Sequence, residues 1–176
     1  LLASASTDGT VKVWDPGRTW SGVDLPGAYP AARSADGRWL SACAQGEKRI
    51  LVWDASTWEV AARIPFTGYV DSLSFDPAGA RLVACDTVDQ TLRILDARLG
   101  TELARVETRH GKLMQHGVFA AWSPRGQWIA SGGPDGIPRI WDATTLEPGV
   151  DLPGHARPLG AGVWSPDGSR LATTST

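Results

Sequence analysis

The chain has 176 residues, of which 20% are charged, and a net charge of −2. That balance leaves no basic face large enough to neutralise a phosphate backbone, so nucleic-acid binding is not expected. No apolar run approaches a membrane span, and no charged-then-apolar leader precedes the first apolar segment, which points to a cytoplasmic protein without membrane contact.

In chain order, Leu1 to Ser6 is a short apolar segment, followed by Asp8, the alternating pair Val11 and Val13, and Trp14-Asp15. Apolar residues at period two mean a strand with one face buried. The hexapeptide from Gly22 to Gly27 comes next, and it returns verbatim from Gly149 to Gly154. A turn at Ala35 to Gly37 leads into Trp39 to Ala44, then Glu47, Ile50 and Val52, and Trp53-Asp54. The order repeats with the turn Asp76 to Gly79, the segment Arg81 to Cys85, then Asp89, Leu92 and Ile94, and Leu95-Asp96. It repeats again with Ser123 to Gly126, Trp128 to Gly132, Asp135, Ile140 and Trp141-Asp142, and begins once more with Ser165 to Gly168 and Arg170 to Ser175. Pro and Gly at these turns suit tight reversals between strands.

The Trp-Asp or Leu-Asp pairs are spaced 39, 42 and 46 residues apart, and the residue six places before each is acidic. Such a period belongs to arrays of four-stranded β units. Each unit of about forty residues holds four short strands at the spacing of an all-β meander. They are called a (ending at the Pro/Gly turn), b (after that turn), c (ending at Trp-Asp) and d (leading to the next unit). No stretch suits a helix better.

These residues resemble the WD-repeat (tryptophan-aspartate repeat) β-propeller family over essentially the whole chain. The resemblance implies an all-β fold of four-stranded antiparallel blades: three full blades over about 29–68, 69–112 and 113–154, with partial blades over 1–28 and 155–176. An array of this kind buries its apolar faces only between neighbours, so an open arc or a fragment of a larger ring, commonly of about seven blades, is expected. Closure of a four-bladed ring by the terminal a strand, or head-to-tail self-association of two copies into an eight-bladed ring, is the less favoured expectation. Cys43 and Cys85 occupy matching places in neighbouring b strands and are expected to be small buried residues between blades, because packed sheets stand farther apart than a disulfide spans.

The family's polar signature is a buried group of four: a His between strands d and a, a Ser or Thr on b, the acid of the b–c turn and the Trp indole of c. A buried indole N–H left unpaired costs about 1–3 kcal/mol, which gives such a group its structural value. Carried over position by position, the first unit has Ser4, Asp8 and Trp14, and the fifth has His155 and Thr173. The second has Ala28 and Ala42 beside Glu47 and Trp53, and the third has Phe66, Ala84 and Leu95 beside Asp89, so apolar packing is expected to serve there. The fourth keeps Ser131, Asp135 and Trp141; counting back from Pro124 puts Leu113 in the His place, with His110 or His116 able to reach in. Pro138 removes a ladder donor from the c strand of that unit, so a bulge or weakened pairing is expected beside Gly136.

A Ser, a His and an Asp in one blade have the composition of a hydrolase triad, but structural networking is the reading adopted. No phosphate-binding, nucleophile-elbow or zinc-protease motif is present, and no cofactor or metal is expected. His110 and His116 could share a metal only if their loop folded back, and a polar surface loop is the plainer reading. No enzyme activity is expected. The resemblance implies a scaffold that binds a protein or peptide partner through loops on one face. The candidate contact is the linker containing Arg105, Arg109, His110, Lys112, Met114 and His116, which joins basic tips to one adaptable apolar side chain. The alternative is a sensor or docking region of a bacterial signalling enzyme, such as a kinase or a nucleotide-binding switch ATPase.

Overall fold

The computed structural model describes residues 2–6, 8–14, 22–26, 28–86, 88–111 and 118–175. Among these are seventeen strands, one 3-10 turn at Gln45–Glu47 and no α-helix. The first sheet holds β1 (Leu2–Ala5), β2 (Thr10–Trp14) and β3 (Gly22–Pro26). The second holds β4 (Ala28–Arg33), β5 (Trp39–Ala44), β6 (Arg49–Asp54) and β7 (Val60–Pro65), and the third β8 (Val70–Phe75), β9 (Arg81–Asp86), β10 (Thr91–Asp96) and β11 (Glu102–Glu107). The fourth holds β12 (Phe119–Trp122), β13 (Trp128–Gly132), β14 (Arg139–Asp142) and β15 (Pro148–Asp151), and the last pairs β16 (Leu159–Trp164) with β17 (Leu171–Ser175). Every pairing is antiparallel between consecutive strands, so each sheet is a simple meander. The a strands β4, β8, β12 and β16 lie side by side, and no ladder among the described residues joins the last sheet to the first to close a ring.

The apolar side chains explain this stacking. The core is divided into four clusters, each lying between two successive sheets. The alternating residues of each c strand point to the following sheet: Val11 and Val13 to the second, Ile50 and Val52 to the third, Leu92 and Ile94 to the fourth. The signature residues Trp53, Leu95 and Trp141 point the other way, into the cluster shared with the preceding sheet. Burying one such side chain contributes about 1.5–3 kcal/mol, and an interior sheet contributes on both faces. Cys43 and Cys85 are free and buried in different clusters, one on each side of the third sheet. Burial first, with the fields of Asp71 and Asp86 behind it, pushes the Cys43 thiol up to about 12, which makes it a poor nucleophile.

Three recurrent turns set the blade geometry. In the a–b turns Gly37, Gly79, Gly126 and Gly168 all have φ between 68° and 76°, a region that favours glycine. In the c–d turns the Asp after each signature residue accepts backbone N–H bonds through Oδ1: Asp54 from Ser56, Asp96 from Arg98 and Leu99, Asp142 from Thr144 and Thr145. This is why an acid follows the Trp. In the b–c turns the residue after each acid is left-handed: Gly9, Lys48, Gln90 and Gly136. The d–a linkers and b–c turns gather at one end of the sheets, here called the upper face.

The fourth sheet departs from the others at Pro138. Its c strand β14 begins only at Arg139 and is four residues long against six for β10. The pairing is shortened, as the missing donor requires. The register shift in that sheet lies instead at Ile140/Trp141, the place where the second and third sheets also shift, at Val52/Trp53 and Ile94/Leu95.

A non-glycine residue in the left-handed region costs about 1–2 kcal/mol, against which a glycine's greater freedom in the unfolded chain must be set. The Gln90→Gly variant is therefore expected to be more stable than the parent chain by about 0.5–1 kcal/mol, since the Thr108 N–H and hydroxyl bond only to the Gln90 backbone carbonyl. Urea denaturation measures this as a higher midpoint with an unchanged slope.

Candidate functional site

The polar network of the fourth sheet joins four side chains of the family's signature, and an arginine beside them, into one connected set. His110 enters from the linker after β11, Ser131 stands on β13, Asp135 lies in the following turn and Trp141 on β14. The indole Nε1–H of Trp141 donates to Ser131 Oγ at 2.7 Å, and Ser131 in turn donates to His110 Nε2 at 2.8 Å. His110 Nδ1–H then donates to Asp135 Oδ1 at 3.0 Å, and the guanidinium of Arg139 donates to Asp135 Oδ2 at 2.5 Å. This tautomer gives the Trp141, Ser131 and His110 hydrogens each an acceptor, because Ser131 has one proton to give and two bonds to complete. Arg139 also brings Nη1 to 2.6 Å from His110 Nδ1 and Nε to 3.4 Å from Asp151.

Burial lowers the His110 pKa, and the pull of Asp135 in the opposite direction does not overcome it. Burial works to raise the Asp135 carboxyl, but hydrogen bonds from Arg139, His110 and the Ile137 N–H outweigh it and lower its pKa, which keeps the group ionised. The result is a neutral imidazole beside a paired carboxylate. The order Ser131, His110, Asp135 is that of a hydrolytic relay, but His110 and Ser131 are both 0% exposed and Trp141 covers the serine oxygen. No substrate carbonyl can approach that oxygen, so the relay works as a strut.

The sequence left open which histidine serves here; it is His110. The reason is backbone geometry: the linker chain turns inward at Arg109, with φ of 58°, and the His110 carbonyl accepts the Asp135 N–H. Leu113 and His116, weighed for the same place, lie outside the described residues, as do Lys112 and Met114. Of the linker residues singled out for partner contact, His110 is turned into the blade. Arg105 belongs to strand β11 rather than to the linker, where Glu102 grips its guanidinium at 2.9 and 3.0 Å and also binds Arg93. Arg109 is exposed and lines a cleft of about 260 Å³ with Trp141, Val106 and Pro148.

The partial networks elsewhere are weaker. Trp14 reaches Ser4 Oγ at 3.5 Å, while Asp8 is occupied with the Thr10 N–H and hydroxyl of its own turn. His155 Nε2 meets Thr173 Oγ1 at 2.7 Å in an exposed setting.

The third sheet holds a polar clasp that sequence reasoning missed. Apolar packing serves there as expected, with Phe66, Ala84 and Leu95 in one buried cluster, and in addition Asp86 is 3% exposed and its Oδ1 accepts the N–H groups of Tyr69, Val88 and Asp89. Thr67 Oγ1 donates to Asp89 Oδ2 at 2.6 Å. Together these bonds tie the d–a linker to the b–c turn, the task that His110 performs one sheet later. Gly68 is required for the closure, because a Cβ there would stand 2.2 Å from Asp86 Oδ1. The one available signal was an aspartate at the end of a b strand, opposite a Gly in the linker.

Among the described residues, no group of three or more His, Cys, Asp or Glu could hold a metal ion and no helix is long and apolar enough to cross a membrane.

Comparison with known proteins agrees with this architecture. Residues 1–15, 62–96 and 108–142 match the family described as WD domain, G-beta repeat. The chain belongs to the WD-repeat family. It is 29% identical to coronin-7 of Bos taurus over 187 aligned residues, covering 97% of this chain and 20% of that protein. It is 31% identical to the nuclear distribution protein PAC1 of Coccidioides posadasii over 173 residues, covering 88% of this chain and 35% of that protein. PAC1 of Arthroderma benhamiae is 28% identical over 166 residues, 84% of this chain and 34% of its own length. The chain thus spans about a third or less of the length of these relatives.

Two measurements probe the network. Ser131→Ala leaves the Trp141 N–H and the His110 Nε2 buried without partners, at about 1–3 kcal/mol each. Ser41→Ala removes only a 3.5 Å contact to the Ala32 carbonyl, worth about 1 kcal/mol or less. Denaturant midpoints are expected to fall far more for the first than for the second.

The lowered His110 pKa has its own signature. The unfolded chain takes up a proton near 6.5 and the folded one at a lower pH, so this contribution to stability is complete above the unfolded value. It is lost as pH falls from there through the folded value. A chain carrying His110→Gln is expected to lose most of the decline in stability between about pH 7 and pH 5.

Proposed function

We propose that this chain is a protein-interaction scaffold, an arc of a larger cytoplasmic WD-repeat protein that binds a protein or peptide partner and performs no catalysis. Its units divide at about residues 28, 68, 112 and 154. One observation carries the reading: the Ser131–His110–Asp135 relay is sealed in the fourth sheet, while Arg109 beside it is exposed on a loop held by rigid sheets. WD-repeat proteins as a family generally mediate protein contacts, and the coronin-7 and PAC1 relatives belong to it. A sensor or docking region of a bacterial kinase or switch ATPase finds no support among those relatives.

The contact assigned to the fourth sheet is the linker from Arg109, with Lys112, Met114 and His116. His110 is excluded from that contact because it holds the blade together. Replacing residues 112–117 by a Gly-Ser linker of equal length, with His110 retained, tests this in a pull-down. Loss of the captured partner with an unchanged melting temperature is expected, and retention of the partner removes the linker as a major contact.

A further inference from the structure

The c–d turns of the second, third and fourth sheets share one backbone. In each, the Asp N–H donates to the carbonyl five residues on, and the Asp carbonyl accepts the N–H four residues on: Asp54 with Glu59 and Trp58, Asp96 with Thr101 and Gly100, Asp142 with Glu147 and Leu146. The residue four places after the Asp is left-handed every time, with φ of 62°, 70° and 57°. On this common frame two exposed positions differ in kind. The second and fourth turns carry Ser56-Thr57 and Thr144-Thr145, whereas the third carries Arg98-Leu99. The turn itself uses neither of these side chains: Arg98 and Leu99 give main-chain N–H groups to Asp96 Oδ1, as Thr144 and Thr145 give theirs to Asp142. Leu99 is 72% exposed, more than any other large apolar side chain among the described residues.

Arg98 and Leu99 line one wall of a cleft of about 380 Å³ between the second and third sheets, at the end opposite the upper face. The other wall belongs to the second sheet and includes Arg38, Trp39, Glu59 and Val60. Some of the charges here are already engaged. Arg38 lies over the Trp39 ring at 4.8 Å and faces Asp54 at 3.8 Å, and Asp54 also accepts the Ser56 N–H and hydroxyl. The Arg98 guanidinium and the Glu59 carboxylate have no hydrogen bond or ion pair among the described residues. One unengaged charge therefore stands on each wall, and the two are of opposite sign. A complementary segment carries the converse pair, an acid for Arg98 and a base for Glu59, together with an apolar side chain for Leu99. A purely acidic or purely basic segment would meet one like charge.

We propose that this cleft docks a short segment of the protein partner in which an apolar residue is flanked by an acid and a base, the apolar side chain resting on Leu99, the acid meeting Arg98 and the base meeting Glu59. The proposal deepens the scaffold reading and rests on it. The cleft lies at the end of the sheets away from the linker of the fourth sheet, so the two contacts can be lost separately.

The test begins with a random peptide library displayed on phage and panned against the immobilised chain, after which recovered peptides are labelled with a fluorophore and titrated. The reference variant combines Arg98→Thr with Leu99→Thr, which gives the third turn the side chains of the fourth and is expected to melt at the parent temperature. Peptides with an acid, an apolar residue and a base in one short run are expected, and their affinity for this variant is expected to be about tenfold lower. Arg98→Glu is expected to weaken them as well, and replacing the peptide's acid by Lys to restore binding, which a loss through misfolding would not allow. Peptides that bind the double variant as tightly as the parent overturn the docking site and leave the scaffold reading standing. Peptides of any other composition, or failure of the charge swap to restore binding, overturn it in the same way. Recovery of no peptide counts against the scaffold reading and takes the docking site with it. If the double variant melts well below the parent, the charge swap decides the matter.

Discussion

A four-stranded sheet with apolar side chains on both faces is stable only when both faces are covered. That requirement governs this molecule. It forces each sheet to lie against the one before and the one after, and it gives adjacent residues of a c strand opposite allegiances, Ile50 to one neighbour and Leu51 to the other. Unlike a single-layer domain, the array has no central core: four separate clusters hold it together, and each is built by two sheets.

Polar groups then decide how each sheet is locked at its upper end, and the solutions differ. In the fourth, a neutral histidine accepts from a serine and donates to a carboxylate that an arginine keeps ionised. In the third, an aspartate collects three backbone N–H groups and a glycine makes room for it. Both connect the incoming linker to the b–c turn, so the constraint is on the connection and not on the chemistry that makes it. The repeated hexapeptide shows the same economy at the outer edge of the sheet. It supplies the d strand of the first sheet and the end of the d strand of the fourth, and its aspartate, Asp24 or Asp151, pairs across to a cation on the c strand, Lys12 or Arg139.

The strands were legible because period-two alternation and the Pro/Gly turns are local signals; β5 and β13 run over the residues that the sequence indicates. The role of the signature aspartate in capping the c–d turn could also have been read, since a short acid before a turn seeks backbone N–H groups. The choice of His110 was not legible. Linkers vary in length, so counting back from Pro124 lands on Leu113, and only the left-handed backbone at Arg109 turns the correct ring inward. Asp86 was hidden for a related reason: a substitute for the histidine came from a different strand, and a search for the same residue type in the same place passes over it. Arg105 was expected at the start of the linker, whereas it lies on the outer strand and bonds to Glu102 three residues earlier on that same strand.

The a–b turns touch in series. A Cβ at Gly126 would meet Pro77 of the preceding turn at 3.3 Å, one at Gly168 would meet Pro124 at 3.6 Å, and one at Gly79 would meet Ser34 at 3.2 Å. These turns therefore act as spacers that set the pitch from one sheet to the next. An added residue in any one of them would wedge its neighbour aside, and every later sheet would inherit the same angular error, so the curvature of the whole array is under the control of its smallest loops.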